Sequence, residues 1–458
     1  MNKKTLVVMA AFFFLYMLWQ KANAQTILDG YVKTGLDSNL AVKQKSFDLK
    51  KSKLDLERAR ALFFPQVGLN AQYTLAEGGR SIEVPIGDLL NSVYSSLNQL
   101  TSSSKFPQVQ NQSIQFLPND YHDTKIEVTM PIYNPSLWYN KMIKAELINN
   151  QQQQVDLYKR ELVREIKLAY YQFLQSRKAV SIYNNALATV NENLRFAEKL
   201  VKNNAATKEV VLKAKAQVSQ VQTSVAASIQ NEKNAVAYFN FLLNRPLENT
   251  IDVDSNIIRS VDNTMQPIAD APSNREELKQ LKSSQRALEI NQKLTESYKL
   301  PVVSGFYNIG FQGYGYKFND KQFYQLGGLQ LQFNIFKGND NKLRAKQNEI
   351  DIEAIKTQYE NAESQILLQV TTAYNSYTSA VDAMHSSYDE VTSTREVFRL
   401  AESRFREGQA LQIELIDART QMTNAEIRYS LAQLAVLTKA AELERAMATY
   451  QIGQTTFK

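Results

Sequence analysis

GLQLQFNIF, Gly328 to Phe336, alternates strictly: Leu329, Leu331, Phe333 and Ile335 fall on one side, Gln330, Gln332 and Asn334 on the other. Period two predicts a β-strand with one apolar and one polar face. Upstream, Ile126, Val128, Met130 and Ile132 alternate with Lys125, Glu127 and Thr129 in the same way. Weaker alternation follows two prolines, with Val67, Leu69, Ala71 and Tyr73 after Pro65 and Val303, Tyr307, Ile309 and Phe311 after Pro301. In a soluble sandwich the apolar side of such strands meets another sheet. In an outer membrane it meets lipid while the polar side faces water. Four strands cannot close a barrel, since membrane barrels use about eight or more and leave no open edge. A membrane role therefore needs several chains in one barrel. Aromatics near the strand ends, Phe63, Phe64, Tyr133, Trp138, Tyr139 and Phe336, suit either an interfacial girdle or ordinary packing.

Working outward from the strands, the chain is helical in pattern. No Pro or Gly occurs from Ser136 to Asn203, nor from Asn339 to Glu407. Some 65 residues at 1.5 Å each make a helix of roughly 100 Å, a length that points to coiled coils. Leu411, Leu415, Ala418, Met422, Ala425, Tyr429, Ala432 and Val436 step by four and three, the 3.5-residue seam of such helices. Val211, Ala214, Val218, Val221 and Val225 form a second seam.

The two halves repeat. Ala169-Tyr170 faces Ala373-Tyr374 at an offset of 204, and the same offset sets Asn204 on Gly408, Ala214 on Ala418 and Gln217 on Gln421. Each half reads helix, strand, strand, long helix, break, helix. The first repeat covers 25–246, with breaks expected near 203–207, and the second 273–450, with a break near 407–411. Between them, 247–272 reads as a linking segment, and 451–458 as a C-terminal tail. The first strand pair carries the longer connection, 77–122, rich in Ser, Asn, Gln and Gly, with one short helix expected around Ile86 to Leu100.

Residues 1–24 combine Lys3 and Lys4, the apolar run TLVVMAAFFFLYMLW and Ala22-Asn23-Ala24, the pattern of a secretory signal peptide. The net charge of +7 falls to +4 without Lys3, Lys4 and Lys21, too mild to argue for nucleic acid. The chain has no cysteine, which excludes disulfides and lipid attachment through an N-terminal cysteine. His122 and His385 have no ligand-like spacing, and no phosphate loop, nucleophile elbow or Cys/His pair occurs. No cofactor, metal or enzymatic activity is expected. Interspersed acids and bases read as solvated helix faces.

RARALFFPQV (Arg58 to Val67), FLLNRPL (Phe241 to Leu247) and RFREGQALQIELIDART (Arg404 to Thr420), the last in its doubled context, resemble the outer-membrane efflux protein family, the TolC-like ducts. The resemblance spans essentially the whole chain after residue 24. It implies an α+β membrane protein in the outer membrane of a Gram-negative-type envelope. A homotrimer would share a 12-stranded barrel, four strands per chain, continued by a helical tunnel through the periplasm. Its partners would be a periplasmic adaptor, an inner-membrane pump and outer-membrane lipid, in efflux or type I secretion. Ile126, Val128, Met130, Leu329, Leu331 and Phe333 would face lipid. Asn204, Gly408, Arg406 and Leu411 would lie at periplasmic hairpin tips where the adaptor docks, the Asn204 tip turning less sharply for want of glycine. Glu414 and Asp417, three apart on one helix face, would ring the periplasmic gate, with Arg404, Arg406 and Arg419 the nearest donors in sequence. Without the family pattern the same pair reads as a solvated acidic face. A coiled-coil scaffold or adhesin anchored by an oligomeric barrel is the alternative function.

Overall fold

The structure, a computed structural model, describes residues 27–253, 257, 273 and 275–452. The signal-peptide expectation and most of the linking segment and C-terminal tail lie outside them. The described residues divide into two compact units, one built on Leu54–Ala145 and Leu288–Glu349, the other on those within 27–53, 146–287 and 350–452.

The first unit holds the sheet. Strands β1 (Gln66–Thr74), β4 (Tyr121–Tyr133), β5 (Val302–Tyr314) and β6 (Phe323–Gln332) pair antiparallel in the order β1-β4-β5-β6. The register aligns apolar residues across strands: Leu69 with Ile126 and Ile309, Val67 with Val128 and Tyr307, Met130 with Gly305 and Leu329. This face is bare, with Leu69, Leu329 and Leu331 at 76%, 74% and 67% exposure, too greasy to stand in water unaided. Ile126 and Met130 are exposed and Val128 half-buried. Phe333 departs from expectation. The strand runs over 323–332 rather than 328–336, because Val302 pairs with Gln332 and Pro301, lacking an N–H, offers β6 no further donor. Phe333 sits exposed just past the strand end.

The opposite face carries Asp123, Lys125, Glu127, Asn308, Gln312 and Gln330. Lys125 pairs with Asp123 at 3.0 Å, and the Tyr324 hydroxyl donates to Asp123 at 3.0 Å. The face is not uniformly polar: Phe306, opposite Gly328, and Leu326, opposite Asn308, share it.

The β1–β4 connection has more structure than its composition suggested. Helix α1 (Ile27–Ser38) and α2 (Leu40–Ala61) precede the sheet, and α3 (Ile86–Leu100) falls where a helix was expected. A hairpin of β2 (Ser81–Val84) with β3 (Gln112–Gln115) closes the insertion at its base, and β4 already begins at Tyr121. At the same end of the sheet, the β5–β6 connection folds over His122, which is fully buried against Tyr316 and Phe318. Its Nε2–H donates to the Lys317 carbonyl and to Gln322 Oε1, both at 3.0 Å.

Long helices α4 (Pro135–Lys202, 68 residues) and α7 (Asp340–Arg406, 67 residues) return through α5 (Lys208–Leu242) and α8 (Gln412–Met447), while α6 (Glu276–Glu296) leads into β5. In the helical unit Leu162, Ile166, Tyr170 and Phe173 of α4 pack on Tyr31, Val32, Phe239 and Leu243. Gly35 lets the helices approach closely there, since a Cβ would stand 2.3 Å from Ile166 Cδ1 and push that side chain aside. Asn39 breaks α1 from α2, its side chain accepting the N–H groups of Ala41 and Val42 and donating to the Leu242 carbonyl at 2.9 Å.

A belt of buried charge crosses this unit, where the interspersed acids and bases predict solvated faces. Arg160 grips Glu276 with two bonds of 2.8 and 2.6 Å, both side chains under a tenth exposed, and also donates to the Tyr450 carbonyl. Arg275 binds Glu277 and the Ala446 carbonyl at the end of α8. Arg445 reaches Glu161 at 3.1 Å and Glu277 at 3.0 Å, and Lys167 reaches Glu444 at 2.6 Å. The start of α6, the end of α8 and the flank of α4 are thus tied by charge-assisted hydrogen bonds. Burial raises the Glu277 carboxyl, but Arg275, its own amide and Arg445 outweigh it and hold the pKa at about 2.

Candidate functional site at the hairpin tips

Both breaks turn the chain by the same device. At Asn204 φ is +56°, with Asn204 N–H donating to the Val201 carbonyl and Ala205 N–H to the Leu200 carbonyl. At Gly408 φ is +77°, with Gly408 to Phe405 and Gln409 to Arg404. These are paired Schellman stops, in which a left-handed residue satisfies the last carbonyls. The Asn204 tip is therefore as sharply turned as the glycine tip, contrary to expectation, because Asn tolerates this conformation. The device recurs, again 204 residues apart, where α5 and α8 end: Asn244 at +52° and Ala448 at +56°. Sequence reasoning missed Ala448, since alanine carries no signal for a left-handed stop.

After the second tip, Leu411 is extended and begins α8. Glu414 stands three residues on, and its Oε1 accepts the Leu411 N–H at 3.3 Å, half of a capping box. Its Oε2 lies 3.6 Å from Arg404, whose guanidinium also donates to the Gln409 carbonyl at 3.4 Å. Asp417 accepts from Gln421 at 2.8 Å. Of the three arginines nearest in sequence, only Arg404 meets an acid of the pair. Arg406 turns to Glu402 at 3.0 Å and Glu192 at 3.8 Å. Arg419 is 7% exposed, stacked 5.1 Å from the Phe398 ring, and burial pushes its pKa down against the raising charges of Glu426 and Glu402. Arg419 Nε has no partner.

The seam holds this arrangement in place. Leu415, Ala418 and Met422 are buried with Phe398 against Ala401 and Phe405, and Phe405 meets Phe196 of α4 edge-on at 5.4 Å. Leu411 is outside the seam, 67% exposed. The tips are joined by Gln412, whose amide donates to the Val210 carbonyl at 3.1 Å. That link had no local signal, as it couples positions 202 residues apart. At the first tip Val210 and Ala214 occupy the places of Glu414 and Ala418, and Glu209 pairs with Lys213 at 2.7 Å. The acidic pair is present on one hairpin only. Among the described residues no group of His, Cys, Asp and Glu could hold a metal ion, and no helix is long and apolar enough to cross a membrane.

Residues 268–449 match the model of the Outer membrane efflux protein family, and the resemblance seen in the sequence stands. No curated protein gives a significant match in sequence. Among solved structures, the outer-membrane channel OprN is 16% identical with a TM-score of 0.72, over 92% of this chain and 89% of its own. The outer membrane protein VceC of Vibrio cholerae is 14% identical with a TM-score of 0.69, over 92% and 95%. The Neisseria gonorrhoeae MtrE outer membrane channel, in its open state, is 14% identical with a TM-score of 0.71, over 92% and 88%. At these identities the likeness establishes the fold, while function rests on the residues themselves.

Proposed function

We propose that this chain, which shares a family signature over 268–449 and a whole-length fold with outer-membrane channels, is an exit duct of the outer membrane that reaches into the periplasm. The observation that carries the reading is the sheet. One face is apolar and bare, the other carries charged and hydrogen-bonded groups around Phe306 and Leu326, and β1 and β6 are both edge strands. Bare Leu and Ile rows with a polar reverse are stable where lipid lies on one side and water on the other. Open edges in lipid leave backbone N–H and C=O groups unpaired at several kcal/mol each, so the edges must be filled. Three copies, β1 of one pairing with β6 of the next, supply twelve strands and close the ring.

In such a trimer the hairpin tips form the periplasmic entrance, and Asn204, Gly408, Arg406 and Leu411 form the surface an adaptor protein meets. Glu414 and Asp417 contribute carboxylates to the entrance, with Arg404 balancing Glu414. The duct conducts passively what an inner-membrane pump delivers. Purified protein should have the mass of three chains in mild detergent and should form conducting pores in planar bilayers. A folded monomer, or a trimer that does not conduct, overturns the proposal, the latter in favour of an anchored scaffold.

A further inference from the structure

The insertion between β1 and β4 is a small folded module with one face left over. Its hairpin, β2 with β3, closes the base. Above it, α3 is held by two asparagines seven apart. Asn91 donates to the Val109 carbonyl at 2.9 Å and accepts the Val109 N–H at 2.7 Å; Asn98 does the same with Phe106 at 2.7 and 3.1 Å. Each amide imitates a strand neighbour, so the returning segment is satisfied by one face of α3. Gly87 on that face is required, since a Cβ would lie 2.4 Å from the Val109 carbonyl oxygen. On the opposite face Leu89, Val93 and Leu100, spaced by four and seven, are 67%, 50% and 82% exposed. Ordering a helix by one face while leaving three aliphatic side chains in water on the other is unfavourable by the hydrophobic term, so this stripe calls for a cover.

Charge and topology choose the cover. Helices that lie on a lipid surface carry Lys and Arg on the polar face to meet anionic headgroups. In α3 the only charge is Asp88, and residues 77–120 hold four acids against two bases. The module also grows directly from β1, an edge strand with one side unpaired. Resting on the trimeric reading above, β1 must pair with another copy's β6, which places the module at the seam between copies. In the β5–β6 connection and at the start of β6 that neighbour presents Tyr316, Phe318 and Phe323, exposed at 52%, 52% and 43%. We propose that the α3 stripe of Leu89, Val93 and Leu100 docks on a second copy of this chain, so that three modules tie adjacent protomers together at the hairpin end of the sheet.

With a photo-crosslinking amino acid in place of Val93, irradiation of intact cells should give a covalent dimer whose linked peptides both come from this chain. Adding Leu89→Ser and Leu100→Ser should abolish that dimer. An adduct with lipid, with a different protein or within one chain, or no adduct at all, overturns the proposal. Native mass of the same sample separates the two readings: a trimer without the photo-dimer sinks the docking face alone, whereas a monomer sinks the duct.

Discussion

Gly408 turns the chain at φ +77° with nothing within 4 Å of where a Cβ would stand, so a substitution there meets no clash and backbone strain that is least for Asn. Gly408→Asn should be nearly neutral, because Asn204 already fills the equivalent place. Gly408→Val should cost about 1–2 kcal/mol locally, seen as faster hydrogen exchange of the amides at 407–411 and weaker adaptor binding. The acidic pair calls for a different test. Glu414 is half exposed and engaged with Leu411 and Arg404, an arrangement worth roughly 0.5 kcal/mol. Glu414→Ala with Asp417→Ala should leave the melting temperature almost unchanged while lowering cation selectivity and block by multivalent cations in planar bilayers. Unchanged selectivity and block would return both acids to a solvated helix face.

At the scale of elements, the belt of buried charge is where the helical unit is most vulnerable. Glu276→Ala leaves Arg160 buried without its anion and should destabilise by about 3–5 kcal/mol, measured as a lowered midpoint of chemical unfolding. The belt also sets an acid limit. Glu277 is held at about 2 in the folded chain against an ordinary 4.5. Its contribution is complete above 4.5 and is lost as pH falls toward 2, since the unfolded chain then binds the proton more readily. Thermal stability should decline across that window, and Glu277→Gln should flatten the decline. Little of this was visible beforehand. Arg160, Arg275 and Glu276 sit among other charges in sequence, and only the packing of α4, α6 and α8 separates a buried ion pair from a solvated one. The strands were legible for the opposite reason: alternation is written into consecutive residues, and Leu329 and Ile126 share a face whatever lies across from them. Phe333 was misjudged because a strand's end is set by its partner, here at Pro301.

For the whole molecule, the duct reading places the hairpin end of the sheet, with its long insertion, outside the cell. Protease added to intact cells should cut within 77–120 before any of the long helices. Cutting there only after the outer membrane is disrupted would reverse the orientation. The interlocked Asn91 and Asn98 amides should confine early cuts to the exposed turn at 101–105, beyond the end of α3.

By itself the sequence determined the period-two strands, the long uninterrupted helices and the Asn and Gly stops, because each depends on backbone preference or on side chains a few residues apart. The tertiary structure decided which charges are buried, that Glu414 answers Arg404 while Arg406 and Arg419 turn elsewhere, that Gln412 joins the tips, and that the insertion folds on two asparagines and leaves an aliphatic stripe uncovered. Those outcomes rest on groups far apart in the chain, and the free energy of a charge or an amide depends on what surrounds it in space, which no local pattern encodes.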